Sequence, residues 1–475
     1  MPYIGRPKRV AILGQLSPAQ SAWVIGGVMF IAVAVALFGQ SLGLIGFLLL
    51  SLIVAAFELA FVIGRVGNMS LAKWLGLRTA WQLRLPLRRW QPVRLSHTVA
   101  EQNVRPDFSA LGWSVARVQA DQRLGVVVAP HRHIMVAAVH SSALATALSA
   151  DPSYGAATIA QWEAFLEALT RATPVKQVSV TTLVAPLAAT AAAREREVAR
   201  LLAQTWPNGV PKSLDRSALV QMVATASATT AWVGLHVDPS STDYPELARS
   251  VTELGQRHLV ELRFLSAEQI VWECIARIAN PYDWADQVTK VRSVTIPSPQ
   301  ALKPGYDALL IDDTIATRTA TISEWPGTSV EERWWLRVLT GLGTLPYATV
   351  TTVHIGLVPP GDAQPRLVRL GQNANLRRIL AAGRGKIYTP SEDVQASEVG
   401  NLLRDVVQGA TLADISAGVT LIAPRTMPSA DFASVWREVR DVAAAHGVQL
   451  VVPGGQALET WRTYAFPFGE VSYAS

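Results

Sequence analysis

The feature that most constrains this chain is an uncharged stretch near its start. Between Arg9 and Glu58 lie 48 residues without a charged side chain. A bilayer core needs about 20 consecutive apolar residues for one helical span. The stretch is therefore too long for one span and long enough for two. We predict spans at about residues 22–38 and 42–63, joined by a short turn at residues 39–41.

Lys and Arg are concentrated beside this stretch. Residues 1–100 hold ten Lys/Arg and one acid, whereas residues 101–475 hold 32 Lys/Arg and 35 Asp/Glu. Because excess Lys and Arg mark the cytoplasmic side of a membrane, we expect both termini in the cytoplasm and only the hairpin tip outside. The mildly acidic remainder argues against a nucleic-acid-binding body. The charge pattern thus predicts a multi-pass protein of the inner (plasma) membrane, without specific nucleic-acid binding.

A cleaved signal peptide is the alternative interpretation of the first span. Arg6 to Arg9 resemble a basic leader region, and Ala34-Val35-Ala36 has the small-residue pattern of a cleavage site. The apolar stretch continues well past that site, and the second span would still anchor the chain. An acid within a span is a functional candidate by default. Because Glu58 lies only about five residues from the end of the second span, we expect it to reach the interface or a partner subunit.

The segment after the second span is predicted to lie at the membrane surface. Tryptophans alternate with cations there, and aromatic rings favour the headgroup level while cations favour anionic lipid. Nucleic-acid-binding segments use similar residues, but this one directly follows a predicted transmembrane helix. The predicted membrane-anchor and interface residues are Trp23, Glu58, Arg65, Trp74, Trp81, Arg88, Arg89 and Trp90.

The rest of the chain alternates between strand and helix periodicity, which predicts an α+β body. The order strand, strand, helix, strand, helix, strand recurs in both halves and indicates a structural repeat without residue identity. The predicted organisation is a transmembrane hairpin (1–64), a basic, Trp-rich juxtamembrane segment (65–100), a first cytoplasmic α/β unit (101–292), a proline-rich linker (293–305) and a second cytoplasmic α/β unit (306–475).

The individual elements follow from the same patterns. Predicted strands are 113–119, 125–139 with a break at Pro130, 175–184, 229–237, 307–312, 315–325, 349–358, 418–423 and 448–452. Predicted helices are 156–170, 188–205, 244–259, 267–279, 330–342, 391–407 and 429–445.

Motifs of nucleotide chemistry were tested first. The run Gly383 to Lys386 resembles the end of a phosphate-binding loop. Leu380 and Ile387 stand where a Walker A motif requires Gly and Ser/Thr, so we interpret the run as a solvated loop. No Gly-x-Ser-x-Gly elbow occurs in the sequence.

Metal and acid–base sites also lack support. His131, His133 and His140 have no Cys or carboxylate beside them. The adjacent acids Asp312 and Asp313 would point to opposite faces of a strand and are interpreted as turn acids. A single cysteine, Cys274, excludes an internal disulfide and a cysteine-based zinc site. No catalytic, cofactor-binding or metal-binding residue is predicted.

The layout as a whole resembles a known family. The segments that carry the resemblance, after the two spans, are AQWEAFLEAL (160–169), VKQVSVTTLV (175–184), ELARSVTELGQRH (246–258), LSAEQIVWECIARIANP (265–281), YDALLIDDTIATRTATISEWP (306–326), VTLIAPRT (419–426) and GVQLVVPGGQALETWRTYAFPFG (447–469). In this order they resemble the actinobacterial two-span conjugal-transfer membrane proteins, which are encoded beside a VirB-type ATPase.

The resemblance implies a non-catalytic inner-membrane subunit of a type IV secretion-like complex. Its expected partners are membrane lipid, other secretion-complex subunits and a VirB-type ATPase in an oligomeric assembly. The closing GGQ…FPFG is similar to the non-catalytic N-terminal part of VirB-type ATPases, so the two units are expected to be α/β sandwiches of that or a ferredoxin-like kind. An EccE-type subunit of type VII secretion and a membrane-tethered enzyme with an unrecognised site remain as alternatives.

Overall fold

The structure of the protein is a computed structural model. Both predicted membrane spans lie outside the residues that it describes. Within the described ranges, no helix combines the length and the apolar composition that a membrane crossing requires. The described residues are 65–66, 69–70, 93–94, 96–100, 103–108, 111–121, 123–129, 132–139, 152–186, 195, 198–199, 201–203, 205, 215–225, 227–239, 242–282, 299–324, 338, 341–342, 345, 347–358, 361–368, 406–407, 413–424, 429–469 and 471.

Five short strands come first, followed by a long run of alternating elements. The short strands are β1 (Arg65–Val66), β2 (Met69–Ser70), β3 (Val93–Arg94), β4 (Ser96–Ala100) and β5 (Asn103–Asp107). The first half of the body then contains β6 (Ser114–Arg117), β7 (Gly125–Val128), β8 (His133–Val139), helix α1 (Pro152–Ala172), β9 (Gln177–Pro186), α2 (Arg216–Thr225), β10 (Ser227–Val237), α3 (Tyr244–Arg257) and β11 (Leu262–Phe264).

A composite helix closes the first half. It begins as an α-helix at Ala267–Gln269, continues as a π-helix at Ile270–Ala276 and ends as an α-helix at Arg277–Ala279; we call the whole α4. The second half contains β12 (Ala301–Pro304), β13 (Leu309–Ile311), β14 (Ile315–Glu324), β15 (Ala348–Leu357), β16 (Ala413–Pro424), α5 (Ser429–Ala445), β17 (Gln449–Val451) and α6 (Ala457–Tyr464). Residues 361–368 are also helical.

The two halves share one 13-stranded sheet, and its strand order shows an internal repeat. β9 and β15 lie side by side and antiparallel. Outward from this pair the order is β10, β8, β7, β6 on one side and β16, β14, β13, β12 on the other. β11 pairs with β8 just as β17 pairs with β14. The repeat predicted from the order of elements is therefore confirmed.

Matching residues of the two repeats can be identified by counting from the centre. There Thr181 of β9 lies opposite Thr352 of β15, and their hydroxyl oxygens are 2.9 Å apart. Gln177 precedes Thr181 by as many residues as Ala348 precedes Thr352, so Gln177 and Ala348 are matching residues. Their partners on the next strands, His236 and Ile422, then match each other.

The turns after α3 and α5 repeat in detail. Val260 N–H donates to the Gly255 carbonyl at 2.8 Å, and Val448 N–H donates to the Ala443 carbonyl at 3.0 Å. A histidine follows each helix, and the next residue has left-handed backbone geometry that closes the helix end. That residue is Leu259 in the first repeat (φ 58°) and Gly447 in the second (φ 74°).

Side chains on the two faces of the sheet enter different cores. On β9, Val178 packs against α1 and α3, while Leu183 points to the opposite face and packs against α4 and α6. In the second repeat, Val419 of β16 packs against α5. Because both faces of β9 and β15 are buried, their sequences read as runs of Val, Thr and Ile without strict alternation.

The face under α4 and α6 is where each repeat reaches across the other. After α4, the Tyr282 hydroxyl donates to the Ile422 carbonyl at 2.7 Å and accepts from Ala348 N–H at 2.9 Å, both in the second repeat. After α6, Phe466 and Phe468 pack against Trp113 of the first repeat. We call Thr463–Gly469, which includes the last two residues of α6, the crossing segment.

The prediction of an α+β body is confirmed, and the paired strands of the sheet are antiparallel. The predicted strands and helices match closely where they are described, for example α5, predicted at 429–445 and observed there. The stretch predicted as a linker, 293–305, ends in the strand β12. The sequence did not predict several described elements: β1 to β5, α2, β11, β12, α6 and the helix at residues 361–368.

Replacing Tyr282 by Phe should lower the free energy of unfolding by about 1–3 kcal/mol, because a buried N–H and a buried carbonyl each lose their partner. Tyr244→Phe removes a hydroxyl that contacts His133 at a half-exposed site, so it should cost less. Equal losses, measured by thermal or chemical unfolding, would contradict the assigned role of Tyr282.

Candidate functional site

Four polar side chains lie together beneath the crossing segment. Gln177 and Ser179 stand on β9, His236 on β10 and His354 on β15, and all four are 0% exposed. His236 lies opposite Gln177, and His354 lies opposite Ser179. We call these four residues the polar cluster. Among the described residues, His236 and His354 are the buried histidines.

The hydrogen bonds of the cluster form a chain with a defined direction. His354 Nε2 lies 2.8 Å from the Thr463 carbonyl oxygen, which can only accept, so Nε2 carries the proton. Neutral His354 therefore has its lone pair on Nδ1, which accepts from the Ser179 hydroxyl at 2.7 Å. The serine oxygen then accepts from His236 Nε2–H at 2.8 Å. The tautomers are assigned from this network.

Gln177 extends the chain to two further groups. Its side-chain oxygen accepts from Arg132 Nη1 at 2.8 Å, and its nitrogen lies 3.4 Å from the Gly469 carbonyl oxygen. His236 Nε2 also lies 3.3 Å from the Pro467 carbonyl oxygen. Three carbonyl groups of the crossing segment, at residues 463, 467 and 469, are thus held by the polar cluster.

Burial keeps both imidazoles neutral. It lowers the pKa of His354 to about 4, against a smaller opposing effect of its bond to the Thr463 carbonyl. Burial likewise holds the pKa of His236 well below the ordinary histidine value, and the nearby His354 and Arg132 lower it further. His236 Nδ1 is buried and has no hydrogen-bond partner among the residues that the structure describes.

A serine between two histidines invites comparison with a hydrolytic site. A serine nucleophile needs an adjacent base that a third group orients, and it needs access to substrate. Among the described residues no carboxylate hydrogen-bonds either imidazole, and Ser179 is fully buried beneath the crossing segment. In this arrangement the cluster can hold and orient backbone carbonyl groups, and a substrate could reach it only if the segment moved.

The matching place in the second repeat is apolar. Ala348, Val350 and Ile422 stand where the first repeat has Gln177, Ser179 and His236, and Leu183 stands where the second repeat has His354. The Tyr282 hydroxyl closes that end. The polar cluster is therefore a feature of one end of the central strand pair and breaks the internal symmetry.

A half-open cleft lies on the same face of the first repeat. Its volume is about 460 Å³, within the range of small-molecule sites. Trp232 forms part of its lining, and Arg263 and Glu273 form an ion pair at 2.8 Å beside it. Because it is lined by cations and anions together, the cleft does not select one charge class of ligand.

The candidate residues considered in the sequence occupy ordinary positions where they are described. The His133 ring hydrogen-bonds Tyr244. Asp312 accepts from the backbone N–H groups of residues 300 and 301 at 2.7 Å, and Asp313 pairs with Lys303, as expected for turn acids. Cys274 is buried.

Most of the predicted membrane residues fall outside the described ranges. Arg65 begins the short strand β1. The other predicted anchor and interface residues lie outside the described residues: Trp23, Glu58, Trp74, Trp81, Arg88, Arg89 and Trp90. His131, His140 and the run 383–387 lie outside them as well.

Sequence reasoning missed the polar cluster altogether. The available signal was a polar residue inside an apolar strand, as with Gln177 and Ser179 in KQVSV and His354 in TVHIG. Such residues in buried strands need a hydrogen-bond partner. Neither a family model nor a curated protein matches this sequence.

Ser179→Ala should lower the free energy of unfolding by about 1–3 kcal/mol, because two buried imidazole nitrogens lose their common partner. Thr349→Val is a matched control, since the Thr349 hydroxyl is also buried but has no hydrogen-bond partner in the described part of the chain. It should leave stability unchanged or raise it. Chemical unfolding of both variants measures the difference, and a costlier Thr349→Val would refute the assigned network.

Proposed function

We propose that the protein is a non-catalytic structural subunit of a secretion or conjugation complex related to type IV secretion. An N-terminal transmembrane hairpin anchors it in the plasma membrane, and the α+β body lies on the cytoplasmic side. The observation that carries the proposal is the 48-residue uncharged stretch, with three Lys/Arg before it and seven between Arg65 and Arg94 after it. This charge distribution is typical of a two-span anchor.

The construction of the body supports a scaffold role. A single sheet of 13 strands joins both repeats. Buried hydrogen bonds fix both crossings over this sheet, the one at Tyr282 and the crossing segment. The two repeats would therefore act as one body. Among the described residues, Ser179 and the two histidines of the polar cluster most resemble a nucleophile with its base. The crossing segment covers them, so they are closed to substrate in this arrangement.

Energy for transport would come from a partner ATPase that docks on this subunit. The resemblance of the sequence to proteins encoded beside a VirB-type ATPase supports that partner. Leu380 and Ile387 replace the glycine and the hydroxyl that a phosphate-binding loop uses to hold phosphate and Mg²⁺. The finer fold proposed for each repeat is that of the N-terminal part of such ATPases, or a ferredoxin-like unit.

Two other functions share part of this support. An EccE-type subunit of type VII secretion would have the same two spans and cytoplasmic body. A membrane-tethered enzyme is favoured by the contact of Ser179 with two imidazoles, provided that the crossing segment opens. The identity of the proteins that co-purify with the chain separates the three.

The topology prediction can be tested with single cysteines in a Cys274→Ala background. Ser41→Cys should react with an impermeant thiol reagent in intact cells, because the hairpin tip is outside. Ser475→Cys should react only after the cells are opened. Labelling of Ser475→Cys in intact cells would contradict a cytoplasmic body.

The scaffold role can be tested by purifying the full-length protein from native membranes in mild detergent. An ATPase of a conjugation machine should co-purify, and the chain alone should show background ATP turnover. A variant lacking residues 1–64 should keep the ATPase but leave the membrane. Type VII subunits in its place would favour the EccE-type alternative. Turnover by the isolated chain that Lys386→Ala abolishes would overturn the scaffold role.

A further inference from the structure

The two crossings of the fold occupy matching places but are fastened differently. Tyr282 binds the backbone at Ala348 and Ile422, and the crossing segment lies over the matching residues, Gln177 and His236. The segment rests directly on β10: a Cβ atom on Gly234 would lie 1.8 Å from the Pro467 carbonyl oxygen. Both crossings therefore pack closely against equivalent parts of one sheet.

The difference lies in what a proton can do to each fastening. The Tyr282 hydroxyl is neutral at and below neutral pH, and burial raises its pKa further. The other fastening depends on two imidazoles, which are the side chains that gain charge most readily as pH falls below neutral. One crossing can thus respond to acid while its counterpart cannot.

We propose that Thr463–Gly469 is an acid-releasable strap, which opens from the first repeat when His236 and His354 take up protons while the Tyr282 crossing stays closed. The proposal is independent of the transport role, because it rests only on contacts within the body.

The hydrogen-bond directions explain why protonation opens the strap. A proton added to His354 goes to Nδ1, which then can no longer accept from the Ser179 hydroxyl. A proton added to His236 also goes to Nδ1, for which the described residues offer no acceptor. No described carboxylate pairs with either ring, and burying an unpaired cation destabilises the closed strap. Opening the strap lets water solvate both rings.

Within the described ranges, the groups that face the two imidazoles do not offset these charges. Arg132, ahead of β8, is itself cationic and lowers the pKa of His236. From α6, the Tyr464 ring lies 5.4 Å from the His354 ring and its hydroxyl bonds Ser416. Arg462 donates to the Leu111 carbonyl at 2.5 Å. Glu459 makes no hydrogen bond to either imidazole in the part of the chain that the structure describes.

Hydrogen exchange of the full-length protein in detergent, between pH 7 and pH 4.5, tests the strap. Rates are first corrected for the intrinsic pH dependence of exchange. The opening constant of the strap amides should rise about tenfold for each pH unit of acidification when one histidine takes up a proton. When both histidines do so, it should rise up to about 100-fold per pH unit. The amide of Ala348, held by Tyr282, and the amides between β9 and β15 should keep their protection.

Two variants sharpen the test. His354→Gln removes one proton site, so the opening constant should rise only about tenfold per pH unit. Gly234→Ala places a methyl group against Pro467 and should open the strap at pH 7 without pH dependence. The proposal is overturned if the strap amides keep their protection at pH 4.5, or if the Ala348 amide and the central strands open together with them.

Discussion

The antiparallel contact between β9 and β15 is the interaction on which the rest of the structure depends. Each strand is buried on both faces and is rich in β-branched residues, so an unpaired edge of either would be a long apolar template for aggregation. Pairing the two strands leaves neither of these edges exposed. It also makes the apolar face under α4 and α6 continuous, so that one core draws side chains from both repeats.

That shared core explains why each repeat reaches across the other. Once β9 and β15 are neighbours, the space over their ends lies between the repeats, and the chain leaving α4 or α6 covers the end that belongs to the opposite repeat. Each cover must satisfy buried polar groups, since an unpaired buried donor costs about 1–3 kcal/mol. A tyrosine hydroxyl does this at one end, and the polar cluster does it at the other.

Much of the fold could be predicted from local pattern, and the polar cluster could not. The helix α3 is marked by Asp243 as its cap, with a side chain 3.1 Å from the Glu246 N–H, and by Pro245 in its first turn. The strand β11 has only three residues between two helices, too few for periodicity to register. Gln177 and His354 are 177 positions apart, and their meeting depends on which strands pair. Local sequence does not contain that information.

Covalent linkage of the repeats has a physical consequence for the polar cluster. In a dimer of identical repeats, any residue at one end of the central strand pair also appears at the other, so a pair of buried histidines would carry its desolvation cost twice. A single chain can differ at its two ends. Here the apolar end, with Ala348, Val350 and Ile422 under Tyr282, carries none of the buried imidazoles. The stability of the joined sheet can therefore rest on that end, which leaves the end with His236 and His354 free to respond to protons.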